Sequence, residues 1–150
     1  MLISNLTVLE CTKFLDANRF GHIGCATSDG QPYIVPIYFA HADNRIYAFS
    51  MPGKKIDLMR KNPKVCFLAE EHSRGKCWKS VLVNGTYEEL PDEVGHKRDR
   101  ERAWSLLSNI VDWWEPGALK PVLPVVSNRS PHIFFRISID AISGREATLE

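Results

Sequence analysis

Ser50-Met51-Pro52-Gly53-Lys54-Lys55 combines a hydroxyl, a glycine and two lysines where a proline announces a helix start. A helix N-terminus carries partial positive charge, so it favours Asp or Glu and disfavours cations. Lys54 and Lys55 at that end conflict with the rule. An anion resolves the conflict by gathering free backbone N–H groups, the Ser50 hydroxyl and a lysine ammonium, and a phosphate satisfies all three. The alternative is that Ser50 caps the helix and the lysines are solvated.

A second oddity is Pro36, inside the run Pro32 to His41 (PYIVPIYFAH). Proline cannot donate to a β-ladder, so it belongs on an edge, at a bulge, or where a ligand replaces the neighbouring strand. The strand that ends at Ser50 is one turn further on. A flat ligand lying on the first strand would place a phosphate tail at the second site.

Metal chemistry has little support. Cys11, Cys25, Cys66 and Cys77 form no C-x-x-C pair, and the five histidines lack H-x-x-x-H spacing. Buried or half-buried free thiols in a reducing compartment, the cytoplasm, are the expectation.

These residues must be positioned by a chain of 150 residues that is 44% apolar and 25% charged. That balance fits one domain, spanning 1–150, which buries roughly 70% of its unfolded surface. Lys plus Arg total 19 against 18 for Asp plus Glu, without the basic excess of a nucleic-acid binder. No window approaches ~18 apolar residues, and the first twenty residues do not read as a signal peptide. Neither nucleic acid nor a membrane is an expected partner.

Thr7-Val8-Leu9-Glu10 has the form of a capping box, opening a short helix with Leu9, Phe14 and Leu15 as its apolar positions. Gly21 to Thr27, Pro32 to His41 and Arg45 to Ser50 read as a meander of three strands, with turns at Asp29-Gly30 and Ala42-Asp43-Asn44. A short helix follows and must stop before Asn62-Pro63. Val65 to Ala69 and Trp78 to Leu90 are strands, the second broken at Gly85 by a bulge. Pro91-Asp92-Glu93 begins a helix whose charged half (HKRDRER) is solvated, while Ala103, Leu106, Leu107 and Ile110 share an apolar face. Asp112 to Pro131 is irregular, with Pro116, Pro121, Pro124, Pro131 and the pair Trp113-Trp114. Ile133 to Ile139 closes the chain as a strand before Ser143-Gly144-Arg145. The Trp pair reads as packing beneath a loop or as a lid, with Asp112 and Glu115 assigned no role.

The run from GHIGCATSDGQPYIVPIYFAH to NPKVCFLAEE, then WKSVLVNGTYEEL, resembles the pyridoxamine 5'-phosphate oxidase-like, FMN-binding split-barrel proteins. It is nearest the branch that includes the nitroimidazole-resistance reductases. The resemblance lies in the ordered series of pieces and covers roughly residues 5 to 90, with a weaker echo at FFRISIDAISGR. It implies a six-stranded antiparallel split β-barrel, mainly β with helical insertions, forming a homodimer with FMN at the subunit interface. Residues matching Val35, Pro36 and Ile37 line the isoalloxazine, partly through backbone atoms. Those matching Ser50, Gly53, Lys54 and Lys55 meet the phosphate, and Trp78 and Ser80 approach the cofactor, sometimes from the partner subunit. For Trp78 and Ser80 an ordinary strand pair is the competing reading.

The implied activity is electron transfer from reduced nicotinamide, NAD(P)H, to a small organic acceptor, the flavin being the redox centre. No dinucleotide fold is present, so the nicotinamide would dock transiently. A flavin-storing or flavin-sensing protein and a haem- or deazaflavin-binding barrel are the alternatives, haem ranking last for want of an axial ligand. Phe49 stands where nitroimidazole reductases carry a histidine, which argues against nitroimidazole reduction. Arg136 and Arg145 are too sparse for the substrate-phosphate cluster of vitamin B6 oxidation. Arg145 reads as solvated or as a partner for the flavin's pyrimidine oxygens. The apolar run Ile133-Phe134-Phe135 is the expected pairing strand of a dimer.

Overall fold

The computed structural model describes residues 1–109 and 131–149. The expected helix face at Ile110, the Trp113-Trp114 pair, Asp112 and Glu115 lie outside them. Eight strands and three helices follow in order: β1 (Leu2–Asn5), α1 (Val8–Ala17), β2 (Phe20–Ala26), β3 (Pro32–Tyr38), β4 (Ala40–Ala42), β5 (Arg45–Ser50) and α2 (Lys54–Lys61). Then come β6 (Lys64–His72), β7 (Trp78–Leu90), α3 (Lys97–Leu107) and β8 (Ile133–Thr148). All pairings are antiparallel, and the sheet runs β3-β2-β6-β7-β8-β5-β4, with β1 on the far part of β8. The sheet is open at β3 and β4, as a split barrel requires. Its six long strands are β2, β3, β5, β6, β7 and β8; β1 and β4 are short additions.

Local chemistry explains most of these elements. At α1 the Thr7 N–H donates to the Glu10 carboxylate (2.7 Å) and the Glu10 N–H to the Thr7 hydroxyl (3.2 Å), so the capping box forms. Gly30 (φ 85°) occupies the left-handed position of the β2–β3 loop, where its N–H donates to the Thr27 carbonyl at 3.0 Å. Asp43 and Asn44 both have positive φ (55° and 59°), the two-residue hairpin geometry between β4 and β5. The β7–β8 register shifts between Asn84 and Gly85, as the break in alternation at Gly85 predicts. A Cβ at Gly85 would stand 2.5 Å from the Ser138 carbonyl oxygen, so the two backbones approach only because the side chain is absent.

The alternation of β2, β6 and β7 turns Ile23, Phe67, Val81 and Val83 inward, where they meet Phe14 and Leu15 of α1 and Ile56 and Met59 of α2. Fully burying one such side chain stabilises by about 1.5–3 kcal/mol. A second cluster joins Tyr47, Phe49, Leu90, Leu107 and Phe134 between β5, β8 and α3.

Several elements depart from expectation. The meander breaks at Phe39: β3 pairs only with β2, while β5 pairs with β4 and β8. Phe39 is fully buried, which bends the chain inward at that point. Leu9 is 62% exposed, and Cys11 takes its place on the inner face of α1. A short 3-10 turn (Val94–His96) precedes α3, which starts at Lys97. Arg100, expected in a solvated half, is buried: its guanidinium donates to the Leu90 carbonyl at 2.8 Å and lies 4.9 Å from the Phe134 ring centre. Finally, β8 runs through Gly144 rather than ending before it. A Cβ there would come within 2.7 Å of Cys11 Sγ and 2.8 Å of Leu6, so this glycine seats α1 on the sheet and marks no turn.

Candidate functional site

The open edge of β3 is the first half of the site. The Phe39 N–H donates to the Arg19 carbonyl and the Thr27 N–H to the Gln31 carbonyl, fixing which residues of the β2–β3 ladder bond inward. By alternation Val35 and Ile37 face β2 with their backbone groups, while Pro36, opposite His22, turns its nitrogen to the open edge. Pro36 therefore costs no ladder bond, and it is an edge proline. Its carbonyl and the peptide groups of Ile34 and Tyr38 point the same way. Ile37 is buried in the core and Val35 is half-buried, so this strand offers backbone rather than those side chains.

The start of α2 is the second half. The helix begins at Lys54, with Gly53 in extended backbone as its N-cap and no side-chain cap. Pro52 lies outside the first turn that the sequence assigns to it. The first intrahelical bond is the Asp57 N–H to the Gly53 carbonyl (3.1 Å), which leaves the N–H groups of Lys54, Lys55 and Ile56 without intrahelical acceptors. Ser50 does not cap the helix. It is fully buried at the end of β5, and its hydroxyl donates to the Met51 carbonyl at 2.6 Å.

The two halves adjoin. Lys54 Nζ sits 4.8 Å from the centre of the Tyr33 ring, which belongs to β3. Asp29, in the β2–β3 loop, is held below the usual carboxylate range by the Thr27 hydroxyl and the Gln31 N–H, with the Lys54 charge adding to both. Burial and the neighbouring Cys66 push the Cys25 thiol up, opposed by the Lys55 ammonium. Among the described residues Lys54 makes no ion pair, and the only acidic residue in the first turn is the exposed Asp57. An uncapped helix end with two cations can hold a phosphate or a carboxylate. Sequence reasoning missed Tyr33 and Asp29. Tyr33 stands two residues before Val35 and so shares its side of β3, which was the available signal.

Trp78 and Ser80 do not join this group within one protomer. They lie on the outer face of β7, opposite His72 and Glu70 of β6, and with Leu68 line a concavity of about 290 Å3. Two strands separate β7 from β3, a distance of roughly 14 Å at ordinary strand spacing. The same outer face carries Phe20 (48% exposed), Ile34 (65%) and Leu82 (40%). Ile133-Phe134-Phe135 is not a free pairing strand. Phe134 and Phe135 are buried, and β8 is paired there with both β5 and β7. Arg145 is exposed opposite Ser80, and Phe49 is buried beside His132 and Phe134. No group of three or more His, Cys, Asp or Glu fit to hold a metal occurs among the described residues, and all four cysteines are free thiols. No helix among them is long and apolar enough to cross a membrane.

Comparison with known proteins accords with this geometry. Residues 7–146 match the family model described as pyridoxamine 5'-phosphate oxidase. A structure of an FAD-binding protein from Mesorhizobium loti is 57% identical, with a TM-score of 0.83, over 99% of this chain and 100% of that one. An uncharacterized protein of Rhizobium meliloti (strain 1021) is 47% identical over 147 residues, 98% of this chain and 97% of the relative. A Bacteroides thetaiotaomicron structure linked by name to 5-nitroimidazole antibiotic resistance shares the fold, with 17% identity and a TM-score of 0.70 over 97% of this chain and 89% of that one. The chain belongs to the pyridoxamine 5'-phosphate oxidase family.

Proposed function

We propose that this protein binds a flavin through its 5'-phosphate at the start of α2 and serves as a flavin-dependent oxidoreductase. The observation that carries the reading is the uncapped N-terminus of α2, whose first N–H groups lack intrahelical acceptors and whose Lys54 ammonium lies over Tyr33 of β3. The name of the 57% identical relative, an FAD-binding protein, supports a flavin. FMN and FAD share the phosphate that this end of the helix would read. The Lys54 and Lys55 ammonium groups and the N–H groups of Lys54, Lys55 and Ile56 would hold it, while the buried Ser50 hydroxyl keeps the β5–α2 turn in place through Met51.

A bound flavin supplies the hydride or electron transfer; the chain supplies binding, orientation and shelter from water. Peptide groups on the outer edge of β3 would meet the polar rim of the ring system. The exposed apolar face with Phe20, Leu82 and half-buried Trp78 supports a homodimer in which Trp78 and Ser80 of one protomer approach the site of the other. Reduced nicotinamide would serve as electron donor and a small organic molecule as acceptor. The free thiols accord with a cytoplasmic location.

The test begins with flavin-free protein. Addition of FMN or FAD should give a saturable shift of the visible flavin bands, and NADH or NADPH should then bleach them without air. Failure to bind either flavin contradicts the reading. Binding without bleaching by either nicotinamide leaves a flavin carrier and removes the enzyme.

A further inference from the structure

We propose that Tyr33 is a positioning residue of the phosphate site: the face of its ring holds the Lys54 ammonium at the start of α2 before an anion arrives. Tyr33 thereby sets how strongly the protein prefers a phosphorylated flavin to riboflavin. The proposal rests on the flavin-phosphate reading of α2 and adds the device that readies that site. Lys54 Nζ lies 4.8 Å from the centre of the Tyr33 ring, inside the ~6 Å range of a cation–π contact. The ring itself is anchored. Tyr33 is half-buried, pairs with the buried Cys25 across the β2–β3 ladder and packs against the main apolar core.

Such a restraint answers a difficulty that the helix end creates. A lysine in the first turn is repelled by the partial positive charge of the free N–H groups, and its four-carbon stem has many rotamers through which to leave for solvent. An anion that meets the lysine in solvent must first order that side chain. A ring face removes this cost in advance. The choice of a ring over a carboxylate is informative. A carboxylate would hold Lys54 more strongly, but its charge would then oppose a phosphate. Asp29, the acid whose pKa feels Lys54, is occupied within its own loop by the Thr27 hydroxyl and the Gln31 N–H (3.1 Å). At the opposite end of the same helix Arg60 donates to both oxygens of Glu89 (2.7 and 3.1 Å), a full ionic pairing that Lys54 lacks among the described residues.

The test titrates FMN and riboflavin separately into flavin-free full-length protein and follows quenching of flavin fluorescence. Tyr33→Phe keeps the ring face and should leave both affinities within about twofold. Tyr33→Leu removes it and should weaken FMN about three- to tenfold, with riboflavin again within about twofold. Replacing Tyr33 by pentafluorophenylalanine keeps the shape and reverses the charge pattern of the ring. It should therefore weaken FMN as the leucine does, without loosening β3. On a Lys54→Ala background the leucine exchange should have no further effect on FMN. Equal losses of FMN and riboflavin, undiminished FMN binding by the fluorinated protein, or the same FMN loss with and without Lys54 would each overturn the proposal while the phosphate site stands. Wild-type protein that binds FMN no more tightly than riboflavin removes the reading of α2 itself.

Discussion

Two ends of the molecule handle positive charge in opposite ways. Around the α3 side of the sheet the buried and bridging arginines are answered from within. The Arg136 guanidinium donates to both oxygens of Glu88 (2.9 and 2.8 Å) and to Asp99 (3.2 Å), and Arg60 donates to Glu89 at 2.7 Å. Arg100 is buried against Phe134 and the Leu90 carbonyl, with Asp92 at 4.0 Å. At the α2 end the helix N-terminus carries Lys54 and Lys55 with no side-chain cap, beside the edge of β3, which has no second neighbouring strand among the described residues. Paired charges at the first end hold the fold. The positive field at the second end also suits an anion from outside.

Substitutions at the α3 end should therefore damage stability and spare flavin affinity. The largest effect belongs to Arg100→Leu, which leaves the 12%-exposed Asp92 carboxylate and the Leu90 carbonyl without their cation. A loss of about 3–5 kcal/mol is expected, a fall in melting temperature on the order of 10 °C. Calorimetry of the variant checks this, and an unchanged melting temperature would mean that the pair is not structural.

The Glu88–Arg136 pair gives a smaller, pH-dependent effect. Hydrogen bonding from Arg136 holds the Glu88 carboxyl below its ordinary range. A depressed folded-state pKa stabilises above the unfolded value, about 4.3, and that stability is lost as pH falls through the folded value. Glu88→Gln should cost on the order of 1 kcal/mol at neutral pH and flatten the fall below about pH 4.5. Urea midpoints of both proteins between about pH 3 and pH 7 read it. Parallel curves would show that Glu88 does not contribute to the acid transition.

At the other end Pro36→Ala should have the smallest effect on stability. The Pro36 nitrogen faces the open edge, so alanine restores an N–H without disturbing the β2 ladder. A change of about 0.4–1 kcal/mol through the unfolded chain is expected. The flavin midpoint potential should move, because the new donor would stand beside the ring. A shifted melting point with an unmoved potential would place the ring away from β3.

Much of this was legible in the sequence because the signals were local. The capping box at Thr7, the hairpin at Asp29-Gly30 and the bulge at Gly85 each need only a few neighbouring residues, and each is present. The helix-start conflict at Lys54 and Lys55 was legible for the same reason, although the cap proved to be Gly53 and Ser50 bonds elsewhere. What sequence missed depends on distant partners. Gly144 reads as lying beyond the last strand until Cys11 and Leu6 are seen against it. Arg100 reads as solvated until Leu90 and Phe134 close over it. The strand Ile133 to Phe135 looks free for a partner protomer until β5 and β7 are found on either side. Strand order is a long-range property, which is why the break at Phe39 was invisible.

The central claim is that the start of α2 reads the phosphate of a flavin. The most direct measurement compares FMN and riboflavin binding by wild-type protein and by the double variant Lys54→Ala/Lys55→Ala. The account predicts that FMN affinity falls about ten- to a hundredfold, while riboflavin is unchanged and thermal stability is equal or slightly higher. Equal losses for FMN and riboflavin would contradict it.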